Sequence, residues 1–259
     1  MRLLQTSLLV AALVSPALAQ DGPSIAAGVK DAANQMAMYL ESTAKAGKRP
    51  DFSKPPISTL FGRIFDSQQL AALPPPTAKD VIWIADWTSA ANRVGKSILY
   101  FGITQPADPL ADAPAIKRNM SNFEDQQTIA MSFLIRIAAR QTQSMFLFMD
   151  QLTPEQRTPI REEGFKTARV GAAEIVYGAL ITIAQGLKPT NARLMSAAIR
   201  DTTDVWVTDI FPTDRQQILG ILAKAEEAAR DDESRKNLVT FGDALAAGEI
   251  AFGSLIHHD

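Results

Sequence analysis

The chain has 259 residues, 26 basic and 28 acidic side chains, a net charge of −2 and no cysteine. That balance argues against a nucleic-acid footprint, which needs clustered cations, and the missing thiols exclude disulfides, thiolate nucleophiles, iron–sulfur sites and covalent c-type haem. The only histidines, His257 and His258, leave the body of the chain without imidazole for a Ser-His-Asp triad, a Cys-His dyad or a His-rich zinc site.

The first segment reads as an export signal. A short basic start at Arg2 is followed by an apolar run from Leu8 to Val14, then Ser15-Pro16 and the small-x-small triplet Ala17-Leu18-Ala19. This is the pattern a signal peptidase accepts, with cleavage expected between Ala19 and Gln20. The apolar run falls short of the ~20 residues needed to span a bilayer. Residues 1–19 are therefore read as a signal peptide and 20–259 as a single all-helical domain in the periplasm.

Beyond it, Pro and Gly clusters alternate with long segments of helical period. They predict eight helices over about 24–46, 57–72, 78–104, 115–150, 154–187, 190–210, 213–230 and 233–254. Three Pro-rich stretches divide the N-terminal third: 50–56, Pro74-Pro75-Pro76 and 106–114. Each ring removes an amide donor and biases its predecessor away from helix. Within 78–104, Trp83, Trp87, Ala91, Val94, Ile98 and Phe101 step by three or four, which marks one face turned to a core.

The predicted fold class is all-α, a multi-helix bundle around a central antiparallel hairpin of 115–150 and 154–187. The first arm is apolar nearly all round between Ile129 and Met149, apart from a narrow stripe of Ser132, Arg136, Arg140 and Gln143. The second arm carries Gly164, Gly171 and Gly178 at intervals of seven. A mid-helix Gly costs about 1 kcal/mol relative to Ala, so the stripe predicts a helix packed closely against it. Arg136, Arg140 and Glu174 speak against a transmembrane hairpin, since charges at bilayer depth are costly. Thr153-Pro154-Glu155-Gln156 has the composition of a capping box with Pro at the first helical position. Thr213 to Gln216 repeats it after Pro212, and Asp232 is the expected cap of the last helix.

Leu152-Thr153-Pro154-Glu155-Gln156 also resembles the LTxxQ motif of small periplasmic helical chaperones of the Spy and CpxP family. That resemblance spans five residues, or a second degraded copy if Phe211 to Gln216 is included, and the chain is longer and less basic than that family's members. It would imply a stress chaperone that shields unfolded clients. A capping box accounts for the same residues locally.

Other motifs carry competing structural readings. Ser42-Thr43-Ala44-Lys45 matches the S-x-x-K pattern of periplasmic acyl-serine enzymes but lacks their companion elements. Glu174, in the apolar run 170–187, is a candidate general acid or base if buried, and equally a partner for an Arg. Asp201, Asp204, Asp209 and Asp214 read first as a solvated acidic surface, since their spacing fits no calcium loop. Asn119-Met120-Ser121 is a formal glycosylation sequon. The His257-His258 pair reads as a frayed tail before a metal site.

The resulting expectation is a non-enzymatic envelope protein with no cofactor and no metal. It would bind a partner protein or a small apolar ligand among its helices, with Phe133, Met145, Phe148 and Glu174 as candidate ligand-binding residues. The competing class is a carboxylate-based enzyme using Glu174.

Overall fold

The structure, a computed structural model, describes residues 24–104, 107–108 and 110–248. The expected signal peptide, its cleavage site at Ala19 and Gln20, and the His257-His258 pair lie outside the described residues.

Among the described residues every regular element is helical: α1 (Ser24–Lys45), α2 (Ile57–Ile64), α3 (Ser67–Ala72), α4 (Val81–Leu99), α5 (Ala113–Asn122), α6 (Glu124–Asp150), α7 (Pro159–Ala184), α8 (Pro189–Arg200), α9 (Thr203–Asp209), α10 (Pro212–Ala228) and α11 (Asp232–Ala247). Short 3-10 turns precede α4 (Ala78–Asp80) and α7 (Pro154–Gln156).

The count exceeds the eight expected because several predicted helices are cut by local chemistry. Between α2 and α3 the Asp66 carboxylate accepts the Gln69 amide at 2.8 Å and starts a new helix. Between α5 and α6, Phe123 leaves the helical region (φ −121°, ψ 31°). Its buried ring meets Phe52 and Phe101 edge-on, with centroids 5.8 and 5.7 Å apart. Between α8 and α9 the Thr202 hydroxyl donates back to Ala198 O at 2.8 Å and accepts from Trp206 Nε1 at 2.7 Å.

Helix α6 is the organising element. Its 27 residues extend about 40 Å at 1.5 Å per residue, and it packs on α4, α8 and α7. Helix α7 packs on α6 but more extensively on α10, and α6 is the element shared by α4, α7 and α8.

Three buried clusters hang on this axis. The first joins α1, α2 and α4 to the N-terminal half of α6 through Met36, Ile64, Trp87, Val94 and Phe133. The second joins the middle of α6 to α7, α8, α9, α10 and α11 through Ile135, Val176, Ile199, Trp206 and Phe241. A smaller third, with Val81, Met145, Phe148 and Phe165, closes the C-terminal end of α6. Each such side chain contributes about 1.5–3 kcal/mol when fully buried. The expected α4 face is buried from Trp83 to Ile98, whereas Phe101 lies past the helix end and is partly buried; the Trp87 indole donates to Ile64 O at 2.8 Å.

Helix α7 is the one element among the described residues long and apolar enough to cross a membrane by length and composition. Its buried face, which includes Phe165, Arg169, Val176 and Ile183, is turned to the protein core.

Candidate functional site

Two places combine chemistry with geometry: a buried charge cluster where α7 meets α9 and α10, and a groove between α1 and α4.

The charge cluster centres on Arg169. Its side chain is 1 % exposed and lies 2.5 Å from the equally buried Asp209 carboxylate. It also donates to the Asp209 main-chain carbonyl through Nε, at 3.1 Å, and through one terminal nitrogen. The guanidinium lies 4.0, 5.3 and 5.8 Å from the ring centroids of Phe211, Phe146 and Phe165. Aromatic faces attract a weakly hydrated planar cation, which makes Arg rather than Lys suited to this position.

Burial pushes the Asp209 carboxyl up to about 6, against the pull of Arg169 and the Thr142 hydroxyl. Burial likewise lowers Arg169, which Asp209 opposes. Asp214, at the start of α10, is raised by burial while Arg169 lowers it. Glu174 is half-buried on α7 and is raised by burial and then by the charge of Asp214. A second carboxylate therefore stands within electrostatic reach of Glu174.

The other sequence-derived candidates do not converge on this cluster as a set. Phe133 packs in the first buried cluster, with its ring 5.4 Å from Trp87 and 5.8 Å from Phe65. Met145 and Phe148 belong to the third cluster, about three to four turns further along α6. Met145 borders a cleft of about 60 Å³ between α4, α6 and α7.

The remaining motifs resolve into ordinary structure. Ser42 Oγ donates to Tyr39 O at 2.9 Å and Lys45 pairs with Glu41 at 2.6 Å, so the S-x-x-K pair forms no dyad. The acidic group separates, with Asp201 paired to Arg136 and Arg200 while Asp209 is buried with Arg169. Among the described residues no His, Cys, Asp or Glu group has a metal-binding arrangement. The Asn119 amide donates to Leu99 O and Phe101 O at 2.9 Å each. Of the glycine stripe, Gly164 is buried and Gly171 borders the small cleft, but no neighbouring atom lies within 4 Å of where a Gly178 Cβ would stand. The close helix contact expected there is therefore absent at Gly178.

Thr153 does form a capping box, with its amide donating to the Gln156 side chain at 3.0 Å, but around a 3-10 turn that precedes α7. The second copy forms no box: Phe211 occupies the N-cap of α10 without a side-chain cap. The last helix is capped by Asp231 rather than Asp232, since Asp231 accepts the Ser234 amide at 2.9 Å.

The groove was not legible as a site. It has a volume of about 950 Å³ and opens between the C-terminal halves of α1 and α4 and the segment after α4. Its lining includes the apolar Leu40, Ala44, Phe101 and Ile103 and the polar Asn92, Arg93, Lys96 and Tyr100. Lys96 is half-buried, and that burial lowers its pKa. The volume lies within the roughly 300–1,000 Å³ of small-molecule sites.

Arg169 was also missed. It follows Arg161, Glu162, Glu163 and Lys166 on the same helix, so no local pattern set it apart as the buried cation. Its partner, 40 positions away, has no local signature. No known protein family, curated protein or solved structure matches the chain.

Proposed function

We propose that this is an exported, non-enzymatic binding protein of the bacterial envelope, a single helical unit organised on α6 that carries a small amphipathic ligand in the groove between α1 and α4. The observation that carries this reading is the groove itself, about 950 Å³ and lined by both apolar and charged side chains. Such an arrangement suits a molecule with a hydrocarbon body and a polar end, since apolar contact supplies affinity and a few polar groups fix orientation. The candidate residues for the site shift accordingly, from Phe133, Met145 and Phe148 in packed clusters to Leu40, Phe101 and Lys96 on the groove walls. Export rests on the N-terminal pattern ending at Ala19, which would place the protein in the periplasm.

The test is native mass spectrometry of the mature protein purified from the envelope of its own host. The expected spectrum shows the polypeptide beginning at Gln20 with additional non-covalent mass. In an Ala44→Trp variant, which fills the groove, that mass is lost while the far-ultraviolet circular dichroism stays helical. A clean polypeptide mass for the unmodified protein overturns the carrier reading.

A further inference from the structure

The geometry points to an organic anion as the groove's ligand: an amphiphile whose carboxylate or phosphate head is held by Lys96 and Arg93 and whose hydrocarbon chain lies on Leu40, Phe101 and Ile103. This assignment rests on the groove being the ligand site and adds the chemical class of what it takes.

Four charged side chains line the groove: Glu41 and Lys45 from α1, and Arg93 and Lys96 from α4. Glu41 and Lys45 neutralise each other across one helical turn at 2.6 Å. Among the described residues Arg93 and Lys96 make no ion pair or side-chain hydrogen bond. The groove thus carries two uncompensated positive charges in a chain whose net charge is −2.

Their spacing sharpens the point. Residues three apart on a helix are surface neighbours, and like charges there disfavour the helix by a few tenths of a kcal/mol. An anion between them would remove that repulsion and satisfy both. Arg is suited to hold carboxylate or phosphate through two parallel N–H donors, and Lys to act as a point charge beside it.

The last turn of α4 draws on Lys96 as well, because carbonyl ends of a helix attract cations. Several of those carbonyls are already occupied. Lys96 O accepts the Tyr100 amide at 2.8 Å, Ile98 O accepts Phe101 at 3.3 Å, and Tyr100 O accepts Ile103 at 3.0 Å. The end of α1 is similarly closed by Gly47 at φ +63°, with Gly47 N donating to Ala44 O at 2.9 Å. Arg93 lies a turn earlier, further from the α4 terminus. The apolar lining then fixes the rest of the ligand, since an inorganic anion alone would leave the partly exposed Phe101 and Ile103 uncovered.

Isothermal titration of the full-length mature protein tests this with five probes: dodecanoate, dodecyl phosphate, dodecan-1-ol, dodecylamine and inorganic phosphate, each below its micellar concentration. Dodecanoate or dodecyl phosphate is expected to bind at least about tenfold more tightly than the alcohol or the amine, the scale of one charged hydrogen bond. The ratio between the first two identifies which head group the site prefers. Lys96→Gln and Arg93→Gln are each expected to bring the preferred anion down to the level of the alcohol without changing alcohol binding, and Lys96→Arg to restore it. If alcohol or amine binds as tightly as the anions, the anion assignment falls and the ligand site stands. If inorganic phosphate binds as well as dodecyl phosphate, the assignment of the hydrocarbon wall falls. If none of the probes binds and the envelope-purified protein carries no extra mass, the ligand site itself falls.

Discussion

Arg169 and Asp209 form the most deeply buried ion pair among the described residues. Taking a charge out of water costs several kcal/mol, which attraction within a buried pair does not always recover. Here three rings and a main-chain carbonyl share the load on the arginine side. The carboxylate side is less well served, and its pKa of about 6 stands above the unfolded value of about 3.9. A carboxyl group with a raised folded pKa stabilises the fold in its protonated form. That contribution is fully present below about pH 4 and is lost as pH rises through about 6. Asp209→Asn keeps the shape and removes the titration. Relative to wild type, its melting temperature is therefore expected to move upward between about pH 4 and about pH 7.5. Parallel thermal melts across that range check this, and a constant difference would place the titrating group elsewhere. Glu174 and Asp214 shift in the same direction, so a residual dependence remains in the variant.

At the scale of single elements, helical identity was written plainly in the sequence and helix ends less so. The spacing of Trp83, Trp87, Ala91, Val94 and Ile98 specified the α4 face because burial enforces period 3.6 over five turns. Termini answer to one or two hydrogen bonds, and adjacent residues compete for them. Asp231 and Asp232 are chemically equivalent candidates, and only the extended backbone at Asp231 (φ −121°, ψ 149°) lets its carboxylate reach the Ser234 amide. Asp231→Ala should cost about 1 kcal/mol, the typical value of an N-cap, while Asp232→Ala should cost a few tenths at most through the helix dipole. Urea denaturation of both variants measures the difference, and equal losses would show that Asp231 is not the effective cap. The cut at Phe123 was illegible for a different reason. Nothing local forbids a continuous helix there, and the break follows from rings at Phe52 and Phe101 that arrive from distant segments. The groove was hidden in the same way: its cations were visible in the sequence, but the opening between α1 and α4 belongs to tertiary packing.

Across the whole molecule, the all-helical class followed from composition and period, whereas the division of the core did not. The sequence suggested one hairpin as the centre, yet α6 passes through two large clusters in succession: Phe133 and Ile137 lie in the first, Ile135 and Ala138 in the second. Interleaving of this kind couples the two, because unwinding α6 to release one set of side chains displaces the other. Trp83 and Trp87 report from the first cluster and Trp206 from the second. Single-tryptophan variants retaining Trp87 or Trp206 should therefore show coincident urea midpoints, as expected of a two-state transition. Separated midpoints would mean that each cluster unfolds alone and that α6 does not transmit the transition.

A ribosome or a translocation channel delivers a polypeptide from its N-terminus onward, and the position of α6 gives that delivery a timetable. The indoles of Trp83 and Trp87 emerge some fifty residues before Phe133, Leu134 and Ile137, which complete their surroundings. The second set waits longer still, since Leu238, Phe241 and Leu245 arrive near the end of the described chain. For most of its passage the nascent protein therefore presents sticky, unfinished surface to its neighbours. Its dependence on holding factors during biogenesis should be set by the interval between the first tryptophan and the last phenylalanine of the second core, and shortened little by any improvement in the finished fold.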